Sequence, residues 1–371
     1  MCLIQNYVFR KRGSNQIIYE VYEYEELKDS SNINIEDWNK MAELIQKKYD
    51  AFGGFVILHG TDTMAYTSSA LSFMFGKTCK PIVLTGSQKP MFNNDGKPID
   101  DSDAKDNLLG ALYVAGHVAI QKVTLFFNKK LFQGNRVIKF DCEEKDAFWS
   151  PNVDDLLPNV EDINEIYDMK RSEQKPLTHG GITQFNKNYV GILKLFPGIT
   201  VETVRNFIQP ENQKNTYMKG IVLETYGAGN APTNTDEPSI LNELKTAIVG
   251  GVLILNCTQC VKGVVSSDYE TGRVLLDAGV IPGRDITPEA ALAKLLYVLS
   301  KWDRNEEQRE MLNSNLRNEI NDTKTVTNLA AEEPEKLNAK YSEATTLSKV
   351  FVIYTGGTIG MTERDDQGTI T

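Results

Sequence analysis

Three glycine turns rich in hydroxyl groups carry the side chains best suited to chemistry in this 371-residue chain. They are Thr355-Gly-Gly-Thr358, His59-Gly-Thr-Asp-Thr63 and Thr85-Gly-Ser87, and each follows a short apolar run. Glycine lets the backbone turn sharply near a ligand and leaves N–H groups free to stabilise an oxyanion. Since a threonine hydroxyl becomes a nucleophile once a base takes its proton, these turns predict an enzyme with a threonine nucleophile.

The residue types alone do not single out the base for such a threonine. No histidine is well placed for the role, although His59 lies close to Thr61 in the chain. A lysine can act as a base when burial or a neighbour lowers its pKa. Asp62 has two interpretations that can coexist. It can orient such a lysine or hold a substrate ammonium, or it can cap a helix at residues 64–75.

Other catalytic and binding motifs are absent or incomplete. There is no G-x-S-x-G elbow, and Gly76-Lys77-Thr78 ends like a P-loop but has Leu71 at the required glycine position. Gly227-Ala-Gly-Asn-Ala-Pro232 begins like a dinucleotide loop but ends in proline. The pair Cys257 and Cys260 forms a lone CxxC, which we interpret as two buried residues rather than a redox or zinc site.

The composition limits the partners of the chain. Its net charge of −10 and the lack of a basic run with aromatic residues exclude a nucleic-acid partner. No apolar run approaches the roughly 20 residues that span a bilayer, and residues 1–6 lack the features of a signal peptide. We therefore expect a cytoplasmic location, no membrane association and a small-molecule substrate. The scattered histidines predict no metal.

The positioning elements alternate between strands and helices, which predicts an α/β fold with a central parallel-rich sheet flanked by helices. Helices are predicted at residues 35–49, 64–75 and 106–116, and another begins at Thr287 and Pro288. The predicted strands are Phe55–Leu58, Ile82–Thr85, Val123–Phe127, Gly220–Thr225, Val252–Asn256 and Val350–Thr355.

Composition shifts predict two domains. The larger comprises residues 1–208 with 348–371, and a smaller α/β domain comprises 217–324, with a polar linker at 209–216. Residues 303–324 are highly charged but keep enough apolar positions for an exposed helix. Residues 325–347 contain few large apolar side chains and are predicted to be a tether leading into the last strand.

These motifs together resemble the L-asparaginases, and the cytosolic type I group more closely than the periplasmic type II group. The segments that carry the resemblance extend over nearly the whole chain. They are Tyr354-Thr-Gly-Gly-Thr-Ile-Gly-Met361, Asp29-Ser-Ser31, His59-Gly-Thr-Asp-Thr63, Pro81-Ile-Val-Leu-Thr-Gly-Ser-Gln88, Gly134-Asn-Arg136 with Lys139, Ser150-Pro-Asn152, Thr225-Tyr-Gly-Ala-Gly-Asn-Ala-Pro232 and Thr258-Gln-Cys260.

The resemblance implies hydrolysis of L-asparagine to L-aspartate and ammonia through an acyl-enzyme, without a metal or organic cofactor. Thr358 matches the family's nucleophile, whereas Thr61, Asp62 and Lys139 match a second triad that handles protons or water. A broader asparagine and glutamine amidase is the alternative, because one methylene gives only roughly 1–3 kcal/mol of discrimination.

The resemblance also implies a substrate-binding set and an oligomer. Ser30, Ser31, Gly60 and Asp62 match the groups that anchor the amino acid. Asn230 matches a residue that reaches the active site of a neighbouring subunit, so we expect a homodimer or homotetramer.

The chain departs from the family in order and in detail. The family begins with the TGGT strand, which comes last here, so we expect a circularly permuted member whose new ends lie in the mobile active-site loop. We expect the permutation to be engineered, with a natural rearrangement as the alternative. Such a cut can leave a protein that binds its ligand with impaired turnover. Thr369 follows Gly368 where many bacterial relatives place a catalytic tyrosine. Ile138 and Glu224 replace the threonine and arginine of the bacterial effector site.

Overall fold

The chain forms two compact units in a computed structural model. Unit 1 comprises Met1–Ile182 with Glu335–Thr371, and unit 2 comprises Thr183–Pro334. The structure describes residues 17–76, 78, 80–118, 120–153, 181–187, 189–209, 218–232, 239–266, 272–321 and 348–360, and the backbone of 5–9, 270 and 271.

Unit 1 is built on a seven-stranded sheet with the order β1-β2-β13-β3-β4-β5-β6. The five central strands are parallel, and an antiparallel strand lies at each edge. The strands are β1 (Gln5–Phe9), β2 (Ile17–Glu23), β3 (Gly54–Leu58), β4 (Ile82–Thr85), β5 (Val123–Phe127), β6 (Lys130–Gln133) and β13 (Ser348–Tyr354).

Three α-helices and a small ribbon accompany this sheet in the described part of unit 1. The helices are α1 (Ile35–Lys48), α2 (Met64–Phe75) and α3 (Ala104–His117), and the antiparallel ribbon pairs β7 (Ile138–Lys139) with β8 (Phe148–Trp149).

The last strand of the chain lies inside the sheet, as the apolar run at residues 350–355 predicts. β13 pairs in parallel with β2 on one side and with β3 on the other. Val350 and Val352 pack into a core that includes Val56 and Val83, because successive strand residues point to opposite faces. Phe351 points to the other face, where its ring lies 4.8 Å from that of Phe52. Strands covered on both faces become continuous apolar runs in sequence.

Helix starts follow local capping chemistry. Asn34 caps α1 by accepting from the amides of Glu36 and Asp37, and the Asp37 carboxylate accepts from the Asn34 amide in return. This satisfies amides that a helix start would otherwise leave without a partner.

Unit 2 contains a four-stranded parallel sheet with the order β12-β11-β10-β9 and its own apolar core. The strands are β9 (Val190–Lys194), β10 (Gly220–Thr225), β11 (Leu253–Thr258) and β12 (Ile281–Pro282). The helices are α4 (Val201–Ile208), α5 (Ile240–Val249), α6 (Glu270–Asp277), α7 (Pro288–Lys301) and α8 (Asn305–Asn313).

The boundary between the units lies earlier than the expected end of the first domain at residue 208. β9 pairs with β10 along its length, and α4 packs against α5, so both elements belong to unit 2. Residues 210–217 and the tether at 325–347 lie outside the described residues.

The helix expected at residues 303–324 is shorter than predicted. α8 ends at Asn313, and the following segment returns so that Glu319 pairs with Lys294 at 2.7 Å. Both side chains are buried, and Lys294 also donates to the carbonyls of Leu312 and Ser314. Because a buried charge requires a partner and hydrogen bonds, this pair fixes the segment in a non-helical course.

Candidate active site

Lys139 contacts two polar side chains of the glycine turn after β3. Its Nζ lies 2.8 Å from Thr61 Oγ1 and 2.7 Å from Asp62 Oδ1. Residues 61 and 139 are distant in sequence, and β7 carries the lysine to the end of β3. Thr61 is buried, and the lysine side chain is only 14% exposed. The lysine can therefore exchange a proton with Thr61 while Asp62 fixes its ammonium group.

Asp62 does not cap the helix that follows it. The cap position of α2 is Thr63, whose side chain makes no capping bond. Thr63 instead donates to the carbonyl of Ser30 at 2.7 Å. The Asp62 side chain is 65% exposed, so one side is free to face a solute while Oδ1 pairs with Lys139.

The TGGT turn packs against this loop through glycine. At Gly357, with φ of +94°, a β-carbon would lie 2.5 Å from the nitrogen of Gly60. Only a residue without a side chain permits this approach. Thr358 and Thr61 are the residues that follow these two glycines, so the backbone brings the two hydroxyl-bearing positions into one region.

Thr358 itself begins a short 3₁₀ turn, Thr358–Gly360, and is half-buried. The backbone that precedes this turn is fixed by Thr355, which donates through both its amide and its hydroxyl to the carbonyl of Leu58. The carbonyl of Thr355 accepts in turn from the amide of Lys28 at 2.9 Å. The residue predicted as nucleophile therefore lies on a backbone held by β3 and by the 28–31 segment.

The predicted anchor Ser30 adjoins the same loop. It is buried, and a β-carbon on Gly60 would lie 2.6 Å from its Oγ. Ser31 is exposed, and its amide donates to Asp29 Oδ1 at 2.8 Å. The hydrogen bonds from Ser31 lower the pKa of the Asp29 carboxyl. The structure thus brings Ser30 and Gly60 together, whereas Ser31 shapes the turn.

His59 is fixed in the interior and is not placed to act as a base. It is fully buried, which lowers its pKa to about 4. The Gly60 carbonyl can only accept, so His59 Nδ1 donates to it at 2.7 Å. Nε2 of the neutral imidazole then accepts from the Thr67 hydroxyl at 2.9 Å, and Thr67 Oγ1 accepts from Trp38 Nε1 at the same distance. A neutral imidazole therefore supports the backbone of the glycine that Gly357 contacts.

Gln88 is a contact of Thr61 that sequence reasoning did not single out. Thr61 Oγ1 lies 3.1 Å from Gln88 Oε1. The residue ends the TGSQ segment after β4, and that segment was the only sequence signal available for it. Nothing in the sequence indicates that its side chain turns toward Thr61.

The remaining predicted residues lie in unit 2. Asn230 is half-buried and exchanges backbone hydrogen bonds with Tyr226. Cys257 is buried, which raises its thiol pKa, whereas Cys260 is exposed. The expectation that both cysteines are buried was thus wrong for Cys260, which follows the end of β11. The backbone carbonyl of Glu224 accepts from Gln259 Nε2 at 2.8 Å.

No group of three metal-ligating side chains occurs among the residues that the structure describes. Across those residues, no helix is long and apolar enough to cross a membrane.

Comparison with known proteins agrees with this architecture. A family model described as Asparaginase, N-terminal, matches residues 5–171, and one described as Glutaminase/Asparaginase C-terminal domain matches residues 189–312. L-asparaginase 1 of Escherichia coli (strain K12) is 42% identical over 307 residues, which cover 81% of this chain and 85% of that protein. This chain belongs to the asparaginase family.

Two further comparisons give similar matches. The crystal structure of L-asparaginase I from Vibrio cholerae O1 biovar eltor str. N16961 matches with a TM-score of 0.68 and 40% identity, covering 81% of this chain and 85% of that one. A mouse relative named 60 kDa lysophospholipase is 41% identical over 306 residues, 82% of this chain. The asparaginase-family chain spans about half the length of that relative, 51%.

Proposed function

We propose that this chain hydrolyses L-asparagine to L-aspartate and ammonia, with Thr358 as nucleophile and Thr61, Asp62 and Lys139 as the groups that handle protons. The observation that carries the proposal is the contact of Lys139 with both Thr61 and Asp62, on a loop whose Gly60 packs against Gly357. Two hydroxyls and one lysine in a single region suit acyl transfer.

The reaction proceeds in two balanced steps. In the first, Thr358 Oγ1 bonds to the side-chain amide carbon, the C–N bond breaks, and the hydroxyl proton leaves with the nitrogen as ammonia. In the second, water attacks the resulting ester, Thr358 regains its proton, and L-aspartate is released. Thr61 and Lys139 can take part in moving the proton of the attacking water in this step.

The substrate's amino-acid end is the natural ligand of the adjoining polar groups. The exposed side of the Asp62 carboxylate suits an α-ammonium group, and Ser30, Ser31 and the backbone of Gly60 suit an α-carboxylate. Holding both ends of a small zwitterion directs its amide carbon toward the nucleophile. We propose that Asn230 of a neighbouring copy contributes to the site, which requires a homodimer or homotetramer.

We also propose that the order of the elements is permuted relative to the family. β13 lies between β2 and β3 in space, although it follows all of unit 2 in sequence. Both family-model matches leave β13 outside their ranges. A protease site inserted in residues 325–347 tests this idea, because cleavage there should leave β13 bound and activity intact. Release of the β13 fragment on cleavage contradicts it.

Ammonia release from L-asparagine, measured with a coupled assay, tests the activity. Wild-type protein should release ammonia, Thr358→Ala should release none while keeping its circular dichroism spectrum, and Thr61→Val should lose most of the rate. Full activity in either variant contradicts the assignment. Tight binding of L-aspartate by a wild-type protein without turnover indicates instead a ligand-binding protein with impaired catalysis.

Two other substrates belong in the same assay. L-Glutamine tests broader amidase activity, in line with the description of the matching C-terminal family model. A lysophospholipid tests ester hydrolysis, because a hydroxyl nucleophile can also attack an ester carbonyl and one relative is named 60 kDa lysophospholipase. If the rate with either substrate exceeds the rate with L-asparagine, that substrate replaces L-asparagine in the proposal.

A further inference from the structure

Gln88 links Thr61 to the turn that follows Lys139. Its Oε1 lies 3.1 Å from Thr61 Oγ1, and its Nε2 lies 3.1 Å from the carbonyl oxygen of Glu144. Thr61 Oγ1 therefore has two side-chain neighbours of different character, since Lys139 Nζ lies 2.8 Å away on the same oxygen.

The orientation of the Gln88 amide follows from these partners. The Glu144 carbonyl can only accept, so the amide group that faces it must be the NH₂ end. The end that faces Thr61 is then the carbonyl oxygen, which also can only accept. Thr61 consequently donates its hydroxyl proton to Gln88 and presents a lone pair to Lys139.

The backbone of Gln88 is fixed independently of its side chain. Its amide donates to Asp103 Oδ2 at 3.0 Å, and the Lys89 amide donates to Asp103 Oδ1 at the same distance. Asn107 Nδ2 also donates to the Asp103 carboxylate, at 3.0 Å. With Asp103 buried, the residue that carries the amide has little freedom to shift.

The other partner of Gln88 is tied to Lys139 through the chain. Asp141 Oδ1 accepts from the amides of Glu143 and Glu144, at 2.7 and 2.8 Å, and forms a tight turn two residues after Lys139. The contacts thus close a ring from Thr61 to Lys139, through this turn to Glu144, and back through Gln88.

We propose that Gln88 is a positioning residue that holds the Thr61 hydroxyl proton away from Lys139 and its lone pair toward it. This inference rests on the proposed function, because it assigns Gln88 to the step in which Thr61 exchanges protons. Without the Gln88 acceptor, the Thr61 proton has no fixed direction, and the lone pair that faces Lys139 is no longer held in place.

Two substitutions of Gln88 distinguish the role of its amide oxygen from that of its NH₂ group. Gln88→Leu removes both hydrogen bonds, whereas Gln88→Glu keeps an acceptor for Thr61, loses the donor to Glu144 and adds a negative charge. We expect Gln88→Leu to lower kcat for L-asparagine about 100-fold with KM within about threefold, because misorientation of a reacting group affects the rate more than binding. Gln88→Glu should retain kcat within about tenfold of wild type.

Gln308→Leu is the matched control. This glutamine donates from Nε2 to the Trp302 carbonyl in unit 2, and the substitution removes that bond without involving any proposed catalytic residue. Its kcat and KM should equal those of wild type. Equal losses of kcat in Gln88→Leu and Gln88→Glu overturn the proposal, because the acceptor for Thr61 is then irrelevant.

High-resolution crystal structures of the same proteins show the orientation of the Thr61 side chain, a measurement that does not depend on activity. Thr61 should keep its rotamer in Gln88→Glu and turn its hydroxyl away from Lys139 in Gln88→Leu. An unchanged Thr61 in Gln88→Leu overturns the proposal even if the rate falls. If wild type releases no ammonia from L-asparagine while Thr61 turns as expected, the proposed function fails and the positioning role of Gln88 stands.

Discussion

Gly357 and Gly60 lie so close together that no side chain fits between them. A β-carbon on Gly357 would lie 2.5 Å from the nitrogen of Gly60 and 2.6 Å from its Cα. The contact is between two backbones, so neither partner can move aside as a flexible side chain would. It fixes the spacing between the turn that carries Thr358 and the loop that carries Thr61.

Gly357→Ala should therefore damage both stability and activity. The left-handed φ of +94° and the backbone clash should together lower the free energy of unfolding by about 2–4 kcal/mol. The turn over the site should shift, and ammonia release should fall at least about 100-fold. Urea unfolding and the ammonia assay measure the two effects.

The matched control for this change is Gly96→Ala. Gly96 also has a positive φ, +72°, but a β-carbon there meets nothing within 4 Å. It should cost only about 1 kcal/mol of backbone strain and leave the rate unchanged. Equal stability of the two variants contradicts the steric argument.

Lys139→Met tests the contact between the lysine and Thr61. Methionine keeps much of the length and removes the charge, so ammonia release should fall by about 10²–10⁴-fold. Stability should change by no more than about 1 kcal/mol, because the partner Asp62 is exposed. Steady-state kinetics and urea unfolding give the two values.

Lys130→Met serves as the control for Lys139→Met. Lys130 pairs with Asp146 at 2.7 Å and is 38% exposed, without contact to the proposed catalytic groups. Its kinetics should match those of wild type. A Lys139→Met protein that keeps full activity rules out a proton-handling role for this lysine.

The strands of this fold could be predicted because most of them are buried on both faces. The run at residues 54–58 is apolar for that reason, and the same holds for β13 at residues 348–354. The sequence does not reveal that β13 lies between β2 and β3, since neighbours in a sheet depend on contacts between distant segments. The early boundary of unit 2 has the same cause, because β9 is assigned by its pairing with β10.

The site was only partly predictable for a related reason. Glycines and hydroxyls mark the turns after β3, β4 and β13. The sequence does not show, however, in which direction a long side chain extends. Gln88 and the neutral state of His59 depend on the orientation of an amide and on complete burial. Likewise, the charge pattern alone extends a helix to residue 324, whereas α8 ends at Asn313 and Glu319 pairs with Lys294.

His59 should make the stability of the protein depend on pH between about 4 and 6.5. Burial lowers its pKa from 6.5 to about 4, so the folded protein keeps it neutral while the unfolded chain binds a proton below 6.5. Its contribution is complete above 6.5 and decreases as the pH falls toward 4, by about 3 kcal/mol in all.

His59→Gln should remove this dependence, because glutamine does not titrate. The unfolding free energy measured with urea should fall less between pH 7 and pH 4 in the variant than in wild type, by about 2–3 kcal/mol. Parallel pH profiles for the two proteins show that His59 takes up its proton in the folded state and contradict the assignment.

Glu289 should give a dependence of opposite sign at higher pH. It lies in the first turn of α7 with Oε2 buried and without a hydrogen-bond partner in the described structure. Burial, together with the charge of Glu224, raises its pKa from 4.5 to about 7. Because the folded protein keeps the carboxyl protonated while the unfolded chain ionises, stability is lost as the pH rises from 4.5 to 7.

Glu289→Gln should therefore stabilise the protein at pH 8 by about 1–2 kcal/mol and have little effect at pH 4.5, since the amide resembles the protonated acid in shape and lacks its charge. Urea unfolding at both pH values measures the difference. Glu306→Gln is the control, because that side chain is 90% exposed and should give no gain that depends on pH. An equal effect of Glu289→Gln at the two pH values means that the buried carboxylate carries no ionisation penalty.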